Sequence, residues 1–281
     1  MASPVVNVVM DGFSTTNRWL LYASLMLTPA QALGGVGSNS PINFGFLAYN
    51  WYQQYLWYIA AKGKELHALS LLPVYLNFIY AFTYIGGVPA GNIYMGILAG
   101  LGSAGLIIMN TITAWISLKT NLPEGDGVYQ FFFFGWRRLS KGWRIFFLLW
   151  EISDTMLSVT MVLMALIGAV AIPLSAKKKY VEESKTFRLW RDTAILWGSA
   201  LVLFVFGWPL ILWMELIVKR NNIVSETDMI AVYLFIAQVV LMIVPTAISL
   251  GQMTFEKWRG VPTRLNVGEK EGGRPKDTES V

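Results

Sequence analysis

The chain has 281 residues, 55% hydrophobic and 14% charged, with a mean hydropathy of +0.50 and a formal net charge of +5. Soluble domains carry about 25% charged residues, so this composition predicts a protein whose excess apolar surface faces lipid. The absence of cysteine removes disulfides, thiolate catalysis, cysteine-ligated metals, palmitoylation and prenylation together.

The expected fold class is all-α: a polytopic transmembrane helix bundle with six or seven spans, one amphipathic interfacial helix and a disordered C-terminal tail. Residues 1–18 read as an N-terminal segment and 19–251 as the transmembrane helical domain. Residues 19–33 support two readings. Arg18, an apolar run and then Ala30-Gln31-Ala32 match the regions of a cleaved signal peptide, whereas an uncleaved segment here is a short first span. Spans are predicted at 44–61 and 66–86, the latter ending where Gly86-Gly87-Val88-Pro89-Ala90-Gly91 favours a turn. The next follows at 92–118, where Gly96, Gly100 and Ala104 recur at four-residue steps. Small residues so spaced let helices approach closely, inside the chain or in a homo-oligomer.

Residues 129–150 form the most patterned stretch outside the spans. On a helix, Phe132, Trp136, Leu139, Trp143, Phe146 and Trp150 share one face. Arg137, Arg138, Lys141 and Arg144 gather on the other. An aromatic face against a basic face suits a helix lying among headgroups, so Trp136, Arg137, Arg138, Lys141, Trp143 and Arg144 are expected lipid-surface contacts, with anionic headgroups as partners. A helix that merely leads into the next span would carry the same pattern.

The span at 147–175 contains an uncharged run from Thr155 to Ala176, followed by three lysines. As a helix that run covers about 33 Å, slightly more than the hydrocarbon core of a bilayer. At its start Glu151, Asp154, Thr155 and Ser158 form one stripe. Ionisable residues inside a membrane are costly and are candidates for function. Paired carboxylates at this spacing can share a proton or hold a cation; a salt bridge to Arg144 is the structural alternative. Asn77, Asn110 and Gln238 complete the candidate intramembrane polar site, with interhelical hydrogen bonding as the plainer reading. Spans at 193–214 and 229–251 follow, then a polar tail at 252–281. Glu215 precedes Lys219 by four residues, the favourable order for a helical ion pair.

One stretch carries a resemblance. Residues 69–84, LSLLPVYLNFIYAFTY, resemble a motif of the small polytopic fungal meroterpenoid cyclases. That family places a carboxylate just after the aromatic of its Asn-Phe motif; the matching position here is Ala81, so the resemblance argues against cyclase activity.

Orientation does not follow from charge. Ten Lys and Arg residues fall on one side of the alternating spans and twelve on the other, tail included. No P-loop, dinucleotide fingerprint, G-x-S-x-G or H-E-x-x-H is present, and the single histidine, His67, leaves no partner for a histidine-based site. No catalytic residue, cofactor, metal or nucleic-acid partner is therefore expected. Three functional classes remain: small-solute or ion transport or a structural membrane role, to which the residues lean; a seven-span receptor or scaffold; and a membrane-embedded enzyme acting on a lipophilic substrate.

Overall fold

The computed structural model describes residues 7–30, 42–71, 80, 93–177 and 185–258, and 80% of the described residues are helical. The candidate site residue Asn77, the Ala81 position of the cyclase-like motif and the tail beyond Trp258 lie outside them. The long elements are α1 (Thr15–Met26), α2 (Ile42–Gly63), α3 (Ile93–Thr120), α4 (Lys141–Lys177), α5 (Lys185–Arg220) and α6 (Met229–Trp258). Two-residue strands β1 (Asn7–Val8) and β4 (Ile223–Val224) pair in parallel, and β2 (Gln130–Phe132) and β3 (Trp136–Arg138) form an antiparallel hairpin.

Side chains set these boundaries. Ser14 caps α1 by accepting from the Asn17 amide at 3.2 Å. Asp228 caps α6 through the Ile230 amide at 2.8 Å, and its other oxygen accepts from the Tyr52 hydroxyl at 2.6 Å. Beyond residue 251 α6 continues to Trp258, so the tail predicted from 252 begins as helix. The span predicted at 66–86 opens with a 3-10 turn, His67–Leu71.

Helix directions follow from side-chain partners. Thr111 meets Ser158 and Trp115 meets Thr155, so α3 and α4 run antiparallel. The α2 and α3 helices run parallel, with Trp51 bonded to the Gly102 carbonyl and Asn121 to the Ala61 carbonyl. Leu47 and Trp51 press directly on Gly102 and Gly105, a small-residue seat one face away from the predicted stripe. Gly100 and Ala104 of that stripe are buried within the chain. The α6 helix packs antiparallel to α2 so closely that a Cβ on Gly45 would lie 2.6 Å from the Gln238 Cα. Finally α1 wedges among α2, α5 and α6.

One end of the bundle gathers most of the polar loop structure. Asn121 joins the ends of α2 and α3, and Asn221 accepts from the Gln130 amide at 2.9 Å and donates to its carbonyl at 2.7 Å. The β1–β4 pair and the Lys64–Glu124 ion pair lie at the same end.

The predicted surface helix over 129–150 is corrected. Residues 130–138 form the hairpin, turned at Phe134 (φ 46°) and Gly135 (φ 134°), and helix begins only at Lys141. Consecutive aromatics favour strand, and Gly135 adopts a backbone angle that other residues rarely reach. Phe131, wholly buried, meets Trp143 and Phe147 at ring separations of 5.0 and 5.2 Å. A helical face through Phe132 and Trp136 omits it.

The interior combines a hydrophobic core with many buried polar groups, under a largely apolar outer surface. Asn50, Gln54, Asn110, Ser117, Glu151 and Gln238 are fully buried, while Met156, Ile167, Trp197, Leu201, Tyr233 and Ile243 point outward. Among the described residues, two helical stretches, Gly96–Thr120 and Lys141–Ala171, are long and apolar enough to cross a membrane; 22% of the most apolar window of the second is buried, against 56% for the first.

Candidate functional site

The α3–α4 seam collects most of the predicted polar site. Thr111 Oγ1 and Ser158 Oγ are 2.7 Å apart, and Trp115 Nε1 donates to Thr155 Oγ1 at 2.9 Å. Both α4 hydroxyls also donate backward along their own helix, Thr155 to the Glu151 carbonyl and Ser158 to the Asp154 carbonyl, at 2.7 and 2.8 Å. Those bonds satisfy the hydroxyls and leave the carboxyl groups with none of them. Glu151 is fully buried with both oxygens lacking a hydrogen-bond partner among the described residues, and Asp154 Oδ2 lacks one too. Ser117 Oγ on α3 is buried and equally unpartnered. A lone carboxylate in such surroundings is costly to keep charged without a counter-charge.

Arg144 does not supply that charge. It bonds Asp126 at 3.0 Å in the loop before the hairpin, two turns from Glu151 along α4. Asp154, unlike Glu151, reaches an open groove of ≈ 610 Å³ bordered by Trp150, Ser153 and Leu157. The two acids therefore differ in access: one at a groove, the other enclosed a turn away.

Gln238 and Asn110 separate. Asn110 is buried on α3, whereas Gln238 belongs to a second network uniting α1, α2 and α6. Ser24 donates to Gln238 at 2.8 Å and accepts from Asn50 at 2.9 Å. The Tyr80 hydroxyl donates to Asn50 at 3.1 Å and accepts from Gln54 at 3.1 Å. Asn50, Gln54 and Ser24 were missed in the sequence, where single polar residues in apolar runs carry no sign of their partners. Glu215 also pairs differently from its helical spacing. Arg18 grips it through Nε at 2.7 Å and Nη2 at 2.9 Å, and Tyr22 donates to it at 2.7 Å.

The predicted lipid contacts divide in the same way. Trp136, Arg137 and Arg138 are exposed on β3, with the Arg220 guanidinium 4.9 Å from the Trp136 ring centre. Trp143 instead enters the aromatic cluster around Phe131 and Phe133. Lys141 and Arg144 line a groove between α3 and α4. The Tyr129 phenol just before the hairpin is pushed above the ordinary tyrosine range by burial, with the charge of Glu124 adding to the effect.

No protein-family model, curated protein or solved structure matches the chain.

Proposed function

We propose that this chain is a multi-pass integral membrane protein that moves a proton or a small cation, with Glu151 and Asp154 as the groups that carry it. Membrane residence is supported by the many large apolar side chains that point outward, by the polar groups buried within the core, and by the two helices of spanning length among the described residues. The span count is supported by the alternation of ends. Four connections or termini meet at the polar end, α2 and α3 are parallel neighbours, and Tyr80 bonds Asn50 and Gln54 in the middle of α2. That arrangement favours seven passages over six, with the expected span at 66–86 as the third.

The carrying observation for transport is the enclosed Glu151, its oxygens unpartnered among the described residues, one turn from an Asp154 that borders an open groove. A purely structural acid in this position would be tied to Arg144, which faces Asp126 instead. The groove offers a proton or cation an approach to Asp154, and the shared helix face offers a second carboxyl within a turn.

The test is ion flux into proteoliposomes holding purified protein, read with an internal pH dye and with monovalent and divalent cation indicators. Wild type is expected to conduct one of these. Glu151→Gln and Asp154→Asn should each reduce the flux roughly tenfold or more, since each removes a group of the general acid–base type. Wild-type protein that is folded and inserted but passes no ion rejects the transport reading.

A further inference from the structure

We propose that the groove between the end of α3 and the start of α4 is a binding site for one anionic phospholipid, its phosphate held by Lys119, Lys141 and Arg144. The inference rests on the membrane reading and adds to it a discrete ligand site.

The groove encloses ≈ 370 Å³. Its three cations come from two antiparallel helices at the level where both candidate spans end, Thr120 in one and Lys141 in the other. That is headgroup depth for any bilayer the two helices cross. Towards the span the walls become apolar, with Trp115, Ile145 and Leu148. A charged rim above an apolar trough matches a phospholipid, anionic at one end and acyl at the other, and does not match a free phosphate. Ile145 and Leu148 are exposed, so the trough opens sideways, where an acyl chain would enter.

The charge balance favours an anion. Lys119 Nζ lies 5.7 Å from the Trp115 ring centre, held by the ring rather than by an acid. Lys141 is the first residue of α4 and is exposed; its helix adds the positive end of its dipole there. Arg144 is shared with Asp126 at 3.0 Å, yet its buried Nε has no hydrogen-bond partner among the described residues. Glu124, the other nearby acid, pairs with Lys64 at 3.4 Å. Three cations therefore face one acid, and one donor remains open. The hairpin arginines, Arg137 and Arg138, do not line this groove, which separates a built site from a generally basic surface.

The experiment uses the full chain in nanodiscs of phosphatidylcholine with a minority of phosphatidylglycerol, followed by native mass spectrometry of retained lipid. Wild type is expected to retain one phosphatidylglycerol in preference to the bulk lipid. The exposed double substitution Lys119→Gln/Lys141→Gln should weaken that retention roughly thirtyfold, in line with about 1 kcal/mol for each of two basic residues near a membrane surface. Arg137→Gln/Arg138→Gln, which removes the same charge from the hairpin, should leave it unchanged. Leu148→Trp, which fills the trough without altering charge, should also displace the lipid. Absence of preferential retention, equal loss in the hairpin variant, or displacement by inorganic phosphate as readily as by lipid would each overturn the proposal. Alkaline carbonate extraction of native membranes is run in parallel. Protein released into water rejects the membrane reading itself, whereas inserted protein without bound phosphatidylglycerol rejects only the lipid site.

Discussion

Arg18 is 7% exposed and makes two parallel bonds to Glu215, with a third donor, Tyr22, on the same carboxylate. Bidentate charge-assisted pairs of this kind join geometry to energy, and removing one partner strands the other. Glu215→Gln keeps an acceptor for Tyr22 but leaves Arg18 without its counter-charge. Because Glu215 retains some solvent access, the expected loss is about 1–3 kcal/mol, below the range for fully buried pairs. Lys219→Gln, by contrast, should stay within about 0.5 kcal/mol of wild type. Thermal unfolding of both variants in the same lipid checks this, and equal losses would reassign the partner of Glu215 to Lys219. The four-residue spacing of Glu215 and Lys219 is a local signal, and Arg18 lies almost two hundred positions away, beyond the reach of any spacing rule. Glu151 and Asp154 were recognisable for the opposite reason: their stripe with Thr155 and Ser158 is local to one helix. Even there the sequence could not say that Arg144 turns towards Asp126.

The hairpin between α3 and α4 rests on a few aromatic contacts, and Phe131 is central among them. Its ring meets Trp143 and Phe147 edge-on, while Phe134 at the turn is 91% exposed. Phe131→Ala should therefore cost about 3–5 kcal/mol, as for other fully buried aromatics, and Phe134→Ala about 0.5 kcal/mol or less. A surface helix would reverse the emphasis, making Phe132 and Trp136 the packed residues and Phe131 dispensable, so a melting series over Phe131, Phe132, Phe134 and Trp136 distinguishes the two. The helical reading failed here because steps of three and four were counted through a stretch with two glycines. Gly135 lies at the turn with positive φ, and Gly142 falls in the first turn of α4. Elsewhere long apolar runs located helices well: 44–61, 92–118, 147–175, 193–214 and 229–251 all fall within α2 to α6, apart from residue 92 before the start of α3. Long runs are robust because their length alone excludes most alternatives; a twenty-residue mixed stretch has no such redundancy.

At the scale of the whole molecule, the proposed passages place Lys62, Lys64, Lys119, Arg137, Lys141 and Arg220, all on the side that the sequence count credits with ten basic residues, at one end. Ion pairs there hold Lys64 and Arg144 to acids, and the near-even split of ten basic residues against twelve conveys no direction. Direction and passage number can be measured directly, because the chain has no cysteine of its own and each introduced thiol reports one position. Phe134→Cys lies at the polar end and is highly exposed; Tyr94→Cys lies at the start of α3, at the other end, and is 82% exposed. In sealed vesicles a membrane-impermeant maleimide should label one of these from outside and the other only after permeabilisation. Ile167→Cys on the outward face of α4 should resist the reagent in both conditions while reacting in denaturant, since lipid rather than water covers it. If Phe134→Cys and Tyr94→Cys label from the same side, α3 does not cross. If Ile167→Cys labels as fast as Phe134→Cys, the outward apolar face meets water or a protein partner, and the apolar outer surface that supports the membrane reading needs another cause. Opposite labelling with a protected Ile167 would fix the side of the lipid groove as well, because Lys119 and Lys141 share the end marked by Phe134.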